Sequence, residues 1–343
     1  MSIFMSVYLY YLLLSNTLIF INLWTIISIL TISLFLNFIL WIISSYVKRK
    51  EITNLFDKYV WKEVLEKKEQ KISSKKISEQ KKVFILFTDI EWFTNISEKL
   101  KPQKIIDMLN IYFKYMNQEI EKSGWFIDKY VWDAVIAFWE NKKYSDNILK
   151  VILNMKTLHK KINEEIKKRI SQNITINTRF WLHYGEVIVW DIWDDSWKIS
   201  YTIIGDNVNL ASRLEWINKY YWTNIIISEN ILPTIKHSWN FYYRLLDKII
   251  VKWKKEWIKI YELIATKSEL DNLEYIKYIR KFEKWIYYYF TWNFITSFWI
   301  LSELKQEKFS KDDIALNIMY DRVKLLKESP PKNWDGIWRY NVK

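Results

Sequence analysis

The sequence predicts an α+β protein, in which residues 81–265 form an antiparallel-rich sheet with helices. Two apolar helices precede this domain and a small all-α unit follows it. Three observations lead to this prediction. Residues 1–47 contain no Asp, Glu, Lys, Arg or His. Strand-like apolar runs then alternate with helical patterns from Lys82 to about Ala265, and residues 270–328 show helical periodicity alone.

The uncharged N-terminal segment is rich in Leu, Ile, Phe and Tyr. Since one membrane span takes about 20 apolar residues, residues 1–47 predict two transmembrane helices, over roughly 3–21 and 25–46. A cleaved signal peptide is the alternative, but it would begin with a basic segment and have a shorter apolar core. The basic cluster at 48–50 places the remainder of the chain in the cytoplasm. We therefore expect a multi-pass protein of the cell membrane, in contact with membrane lipid.

Residues 48–80 mix Lys and Glu with apolar residues at helical spacing, which predicts an amphipathic connecting helix. Such a helix could dimerise or cover the following domain. The formal net charge is +13, yet the Lys residues are spread along the chain and mixed with Glu, so no nucleic-acid partner is expected. The absence of Cys excludes disulfide frameworks and thiol nucleophiles.

Two acidic residues stand where buried strands meet turns. Asp89 follows the apolar run Val83 to Phe87, and Asp133 lies between two strand-like runs. Two carboxylates on neighbouring strands are typical of a two-metal phosphoryl-transfer site, because carboxylate oxygens bind hard cations. Either Asp taken alone is more often a turn cap.

A third motif begins with a turn at Gly205 and continues into a helix from Asp206 or Asn207. Asn209 and Arg213 are four residues apart and therefore share one face of that helix. This spacing aims an amide and a guanidinium at one point. A hydrogen bond between two surface side chains is the alternative.

Together these segments resemble the class III adenylate and guanylate cyclases, over most of residues 82–264. Within that family the chain is similar to the bacterial, membrane-anchored adenylate cyclases that are linked to a CHASE2-type sensor. It includes the FTDI strand, the DKY hairpin, the strand from Arg179 that is similar to R-x-G-x-H-x-G-E-V, the VNLASRLE helix and the VKWK segment at 251–254. Several motifs in the right order are a specific signal. The resemblance implies the ferredoxin-like, palm-type catalytic fold of this family.

The resemblance also implies roles for individual residues. Asp89 and Asp133, helped by the Ile90 carbonyl, would bind two Mg²⁺ or Mn²⁺ ions. Lys129 and Thr202 would read the adenine of ATP, and Asn209 would orient the ribose. Arg213 and Lys254 would stabilise charge on the phosphates. In the family these sets come from different subunits, so a homodimer is implied.

The implied reaction is conversion of ATP to 3′,5′-cyclic AMP and pyrophosphate, in intracellular signalling. The Lys129 and Thr202 pair resembles the adenylate pattern, whereas the guanylate enzymes tend to carry Glu and Cys at these places. A guanylate cyclase remains the enzymatic alternative. A catalytically inactive, membrane-bound interaction protein is the alternative from another class.

Residues 266–343 predict a short helical unit of tetratricopeptide type, without a second copy at a fixed period, that could hold a protein partner.

Trp occurs 21 times and Gly only 4 times. Trp repeatedly stands where the cyclase pattern has Gly, and the codon UGA is read as Gly in some bacterial lineages. We therefore expect that UGA codons meant as Gly are written here as Trp. The positions concerned are Trp92, Trp125, Trp132, Trp181, Trp190, Trp193, Trp216, Trp222 and Trp253.

Overall fold

The computed structural model describes residues 2–16, 28–44, 47, 78–140, 145–193, 199–213, 215–237, 240–250 and 256–339. The chain divides into two compact units, Met1–Ser74 and Lys75–Lys343.

Among its described residues the first unit has two apolar helices, α1 (Ser2–Asn16) and α2 (28–44). Large apolar side chains are exposed on both, including Phe4, Leu9 and Phe35. In the described part of the chain, no helix is both long and apolar enough to cross a membrane. The two predicted spans are therefore not found there. Helix α1 has 15 residues, fewer than the roughly 20 that a span takes. Residues 48–77 of the predicted connecting helix lie outside the described residues.

The second unit is built on one mixed sheet, which confirms the α+β prediction. Among the described residues the strand order is β2-β3-β1-β4-β6-β8-β7, with β5 paired to β4 outside this path. All neighbouring pairs are antiparallel except β4 and β6, which run parallel. In chain order the strands are β1 (Ser78–Ile90), β2 (Phe126–Val131), β3 (Ala134–Trp139), β4 (Thr178–Trp193), β5 (Ile199–Ile204), β6 (Ile225–Ser228), β7 (Phe241–Ile250) and β8 (Trp257–Thr266).

Strand β1 is central to the sheet and pairs with β4 along its whole length, from Ser78 opposite Trp190 to Ile90 opposite Thr178. Every residue from Val83 to Ile90 is buried, as expected for a strand covered on both faces. The strand starts earlier than predicted, because 78–80 belong to β1 and not to a preceding helix. Pairing with β4 explains this, since it satisfies the backbone of a segment whose side chains are polar.

The helices of the sheet domain pack their apolar faces on the sheet. Helix α4 starts with Pro102 in its first turn and ends before Gly124, which has φ +76°. Its buried Met108, Tyr112 and Met116 share a core with Leu86 of β1. The helices of this region are α3 (Phe93–Lys99), α4 (Pro102–Lys122), α5 (Ser145–Thr157), α6 (His159–Arg169), α7 (Asp206–Arg213) and α8 (Glu215–Tyr221), with a 3₁₀ turn at Glu229–Thr234.

Three further helices form the C-terminal unit, and each begins with a side-chain cap. Asn272, Asn293 and Asp313 accept hydrogen bonds from the backbone amides of Tyr275, Thr296 and Leu316. Each cap satisfies an amide that the first turn leaves unpaired. The tetratricopeptide-type arrangement and its protein partner stay predictions. The helices are α9 (Leu273–Phe290), α10 (Phe294–Leu304) and α11 (Ile314–Glu328), with a 3₁₀ turn at Lys308–Lys311.

Candidate active site

The two predicted metal-binding carboxylates lie at the same end of the sheet. Asp89 is the penultimate residue of β1, and Asp133 is in the turn between β2 and β3. The backbone amide of Ile90 donates a hydrogen bond to Asp133 Oδ2 at 3.0 Å. Asp89 and Asp133 are each about 8% exposed, so both are sheltered from solvent while remaining near the surface.

The Thr88 hydroxyl links the β2–β3 hairpin to β1, next to Asp89. Its hydroxyl oxygen accepts hydrogen bonds from the Val135 amide at 2.9 Å and from the Tyr112 hydroxyl at 3.1 Å. Burial raises the pKa of Tyr112 well above its ordinary value, so this hydroxyl stays a donor. Thr88 and Asp89 point to opposite faces of the strand, since side chains alternate. The helical core thus fixes the strand that presents Asp89 on the other face.

Two cationic side chains approach Asp89, and sequence reasoning gave neither a role. Arg179 of β4 lies opposite Asp89 in the register, with Nη1 at 3.6 Å from Asp89 Oδ2. Lys219 Nζ of α8 is 3.4 Å from the same oxygen, and Arg179 Nε is 3.2 Å from Glu91 Oε1. Arg179 could have been found from its place at the start of the β4 motif. Lys219 could not, because nothing in the sequence links α8 to β1.

The predicted base-reading pair is brought together by β2 and β5. Lys129 Nζ donates to Thr202 Oγ1 at 3.3 Å, although the two residues are 73 positions apart in the chain. Asp128 supports both, because its carboxylate lies 3.2 Å from Lys129 Nζ and accepts from the Ile203 amide at 3.3 Å. The Lys129 side chain is half exposed, whereas Thr202 is buried. The Thr202 hydroxyl is therefore held in place, and the Lys129 ammonium group faces solvent.

Helix α7 begins at Asp206, as predicted, and carries Asn209 on its exposed side. The turn at Gly205 has φ +151°, and its carbonyl accepts from the Val208 and Asn209 amides. Arg213 is the last residue of α7, but its side chain is outside the described part of the chain. Lys254 also lies outside the described residues.

Asn207 attaches the start of α7 to β4. Its amide donates to the Glu186 carbonyl at 2.8 Å, and its oxygen contacts His183 Nε2 at 3.1 Å. Gly185 makes room for this side chain, since a Cβ at that position would lie 2.5 Å from Asn207 Cγ. The other ring nitrogen of His183, Nδ1, lies 2.9 Å from Ser228 Oγ. These contacts hold α7, and therefore Asn209, against the sheet.

Every non-Gly residue with positive φ in the described ranges is a Trp: Trp92, Trp132, Trp222 and Trp292, at φ values from 55° to 65°. This left-handed conformation favours Gly and costs other residues about 1–2 kcal/mol. Trp132 is 84% exposed directly beside Asp133, and Trp92 packs its ring 5.5 Å from that of Trp222 next to the end of β1. Trp125 and Trp181 are instead buried, and each leaves its indole nitrogen without a hydrogen-bond partner.

The donors at the end of β1 suit a hard divalent cation. Asp89, Asp133 and the Ile90 carbonyl supply oxygen only, which is the ligand type that Mg²⁺ and Mn²⁺ prefer. The approach of Arg179 and Lys219 shows that Asp89 attracts positive charge in this fold. Within the described residues, no cluster of three or more His, Cys, Asp and Glu side chains could form an all-side-chain site. An ion that has only two carboxylate ligands keeps coordination positions for the oxygens of a substrate phosphate.

The fold has been seen in solved structures. A bacterial light-regulated adenylyl cyclase superposes with a TM-score of 0.56, at 23% identity, covering 72% of this chain and 71% of that chain. At that level of identity the likeness shows the fold, and the match to a family model gives the class of protein, a nucleotide cyclase catalytic domain. The family model described as "Adenylate and Guanylate cyclase catalytic domain" matches residues 75–265, and the chain belongs to that family.

Curated relatives match the same region. An adenylate cyclase of Anabaena cylindrica is 35% identical over 188 residues, which are 54% of this chain and 37% of that protein. The terminal-differentiation-specific adenylate cyclase of Dictyostelium discoideum is 33% identical over 192 residues, 55% of this chain and 9% of that protein. The chain thus spans well under two thirds of the length of either relative.

Proposed function

We propose that this protein is an adenylate cyclase that converts ATP to 3′,5′-cyclic AMP and pyrophosphate. The contact between Lys129 and Thr202 carries the proposal, because it places a donor cation and a hydroxyl on one edge of the domain, as base reading requires. The similarity to two proteins named adenylate cyclase supports the choice of ATP over GTP.

In the proposed reaction the ribose 3′-oxygen forms a bond to the α-phosphorus, the bond to the pyrophosphate oxygen breaks, and the hydroxyl proton leaves to solvent. Asn209 would orient the ribose from α7. Arg213 and Lys254 would neutralise the charge that grows on the phosphate oxygens. Lys129 and Thr202 would hold the adenine edge, so that the 3′-hydroxyl and the phosphorus meet in line.

Asp89, Asp133 and the Ile90 carbonyl would hold two Mg²⁺ or Mn²⁺ ions. When bound, such ions lower the pKa of the attacking hydroxyl and offset charge on the triphosphate. Arg179 and Lys219 would then have to give up part of their contact with Asp89, since one carboxylate cannot satisfy all of these charges at close range.

We further propose that two copies of the chain form each site, with the carboxylates from one subunit and Asn209, Arg213, Lys254, Lys129 and Thr202 from the other. Complementation tests this arrangement. Asp89→Asn chains mixed with Asn209→Ala chains should regain part of the activity that each lacks alone. Continued inactivity of the mixture, with both variants folded, would remove the dimer proposal.

The activity is tested by measuring cyclic AMP and cyclic GMP formation by the purified protein with Mn²⁺. We expect cyclic AMP to be the main product. Asp89→Asn should abolish its formation, and the exposed control Asp321→Asn should retain it. Cyclic GMP as the main product would instead establish the guanylate alternative. No product from a folded protein would favour the inactive interaction protein, for which the indole of Trp132 beside Asp133 supplies a reason.

We also propose that Trp92, Trp132, Trp222 and Trp292 are glycines in the protein as its own organism makes it. Their shared left-handed backbone supports this, because random replacement would not select one bulky residue at positions that require Gly. The gene decides the matter: UGA codons at these four positions agree with the proposal, and UGG codons remove it. Activity measurements should therefore include a protein with Gly at 92, 132 and 222.

Finally, we propose that residues 1–47 attach the protein to the cell membrane, with the cyclase domain on the cytoplasmic side. The absence of charge in this segment and the exposed apolar side chains of α1 and α2 support attachment. Fractionation of cells tests it. The protein should stay with membranes after an alkaline carbonate wash, and Leu34→Lys with Leu36→Lys should weaken that retention. Recovery of the unaltered protein in the soluble fraction would contradict the proposal.

A further inference from the structure

A buried ion pair joins the C-terminal unit to the cyclase domain. Arg322 of α11 extends its guanidinium to Asp247 of β7, with Nη1 at 2.5 Å from Oδ2. The side chains are 2% and 0% exposed. Charges are seldom buried unless they are paired, and here each charge has the other as its partner.

The same guanidinium reaches a second element of the cyclase domain. Arg322 Nη2 donates to the Tyr221 hydroxyl at 3.1 Å, and that hydroxyl donates to Asp247 Oδ2 at 2.5 Å. Arg322, Asp247 and Tyr221 therefore form a closed triangle between α11, β7 and α8. The planar guanidinium fixes the separation of its two partners, which a Lys ammonium would not do.

Both elements held by Arg322 lead directly to the candidate active site. Tyr221 is two positions after Lys219, whose ammonium contacts Asp89, and α8 follows α7 with its Asn209. In the sequence β7 is followed by residues 251–255, which include Lys254 and lie outside the described residues. The triangle thus connects the two segments that carry the predicted ribose- and phosphate-binding groups.

A separate ion pair secures the unit itself. Arg244 of β7 pairs with Asp313, the cap of α11, and with Glu262 of β8 at 2.7 Å. Tyr278 of α9 donates to the same Asp313 carboxylate at 2.7 Å. Because this second anchor holds α11 on the domain, Arg322 can be altered without removing the whole attachment of the unit.

We propose that Arg322 is a positioning residue for the cyclase site: it sets the spacing of β7 and α8, and so the placement of the groups that bind ribose and phosphate. The C-terminal helical unit is then a working part of the catalytic domain and not only a platform for partners. The kinetic consequence rests on the proposed adenylate cyclase function. The structural consequence does not.

The test compares Arg322→Lys, which keeps the charge but loses the planar fork, with the exposed control Arg280→Lys on α9. Hydrogen–deuterium exchange of peptides covering 206–221 and 241–250 reports how firmly the backbone of α7, α8 and β7 is held. We expect faster exchange in both peptides for Arg322→Lys and parental exchange for Arg280→Lys. We also expect kcat for cyclic AMP formation to fall on the order of tenfold to a hundredfold, because small displacements of positioning groups have effects of that size. The KM for ATP should change far less.

A double variant guards against general unfolding. Arg322→Gln with Asp247→Asn leaves no unpaired buried charge, and it should fold with exchange in α4 unchanged. Faster exchange at 206–221 and reduced kcat in this folded variant support the proposal. Parental exchange and kcat in both Arg322 variants overturn it. If the parent protein makes no cyclic nucleotide, the proposed function fails, and the exchange comparison alone decides the role of Arg322.

Discussion

Asp133 Oδ2 accepts a 3.0 Å hydrogen bond from the backbone amide of Ile90, which ties the tip of the β2–β3 hairpin to the end of β1. One carboxylate therefore has two tasks. It holds the backbone of the neighbouring strand, and it supplies a negative charge beside Asp89. The two tasks can be separated by substitution, since an amide oxygen keeps the hydrogen bond but lacks the charge.

Asp133→Asn should therefore reduce Mn²⁺-dependent cyclic AMP formation about a hundredfold or more, with little change in the thermal unfolding temperature. Asp133→Ala should lower that temperature as well, because the Ile90 amide loses its acceptor. Activity assays with thermal unfolding scans check both, and Asp321→Asn is the exposed control. Equal loss of stability in the Asn and Ala variants would contradict this division of tasks.

Thr202→Val should reduce the preference for ATP over GTP. The substitution removes the hydroxyl that accepts from Lys129 and leaves the volume nearly unchanged. Because a site built on hydrogen bonds discriminates through them, the ratio of kcat/KM values for the two nucleotides should fall about tenfold. The control is Thr291→Val, whose hydroxyl lies in the C-terminal unit. An unchanged ratio would show that the pair does not read the base.

Thr88→Val should destabilise the sheet domain by about 1–3 kcal/mol, because the Tyr112 hydroxyl and the Val135 amide both lose their buried acceptor. Urea unfolding measures this. In a cycle with Tyr112→Phe, the double variant should lose less than the sum of the single losses, since the two residues share one hydrogen bond. Strict additivity would contradict the shared bond.

We expect the folded protein to lose stability in acid, where Asp313 becomes protonated. Although burial opposes it, the Arg244 guanidinium holds the pKa of Asp313 below its ordinary value of 3.8. A depressed folded-state pKa adds stability that is fully present above the unfolded pKa and is lost as the pH falls through the folded value. Asp313→Asn should therefore unfold more easily at neutral pH, by about 3 kcal/mol, and show a flatter pH dependence below pH 4. Its exposed neighbour supplies the control, as Asp312→Asn should follow the parental curve in urea titrations.

Gly at the left-handed positions should stabilise the chain. Each of Trp92→Gly, Trp132→Gly and Trp222→Gly should raise the free energy of unfolding by about 1 kcal/mol, because the strain at positive φ disappears. The control is Trp285→Gly in α9, a fully buried position where the loss of packing should cost about 3–5 kcal/mol. Urea unfolding distinguishes the two classes. A loss of stability at all three left-handed positions would contradict the proposed replacement.

Sequence patterns predicted the helices and strands better than the contacts between them. The positions of Asp89, Asp133 and Asn209 followed from strand ends, turn residues and helical spacing, all of which are local patterns. Lys219 and Arg322 left no such signal, because their contacts depend on how distant segments pair in the sheet and on how α11 docks. Arg322 bonds to Tyr221 across 101 positions. The start of β1 at Ser78 was missed for a related reason, since its polar residues match a helix until their pairing with β4 is known.

The uninterrupted register of β1 against β4 limits how this protein can vary. Successive residues of a strand face opposite sides, so inserting or deleting one residue within 78–88 would rotate Asp89 into the helical core and turn Thr88 toward the opposite face. Substitutions in the outer half of β1 leave that geometry intact. The length of this strand therefore constrains the site more tightly than the composition of its outer half does.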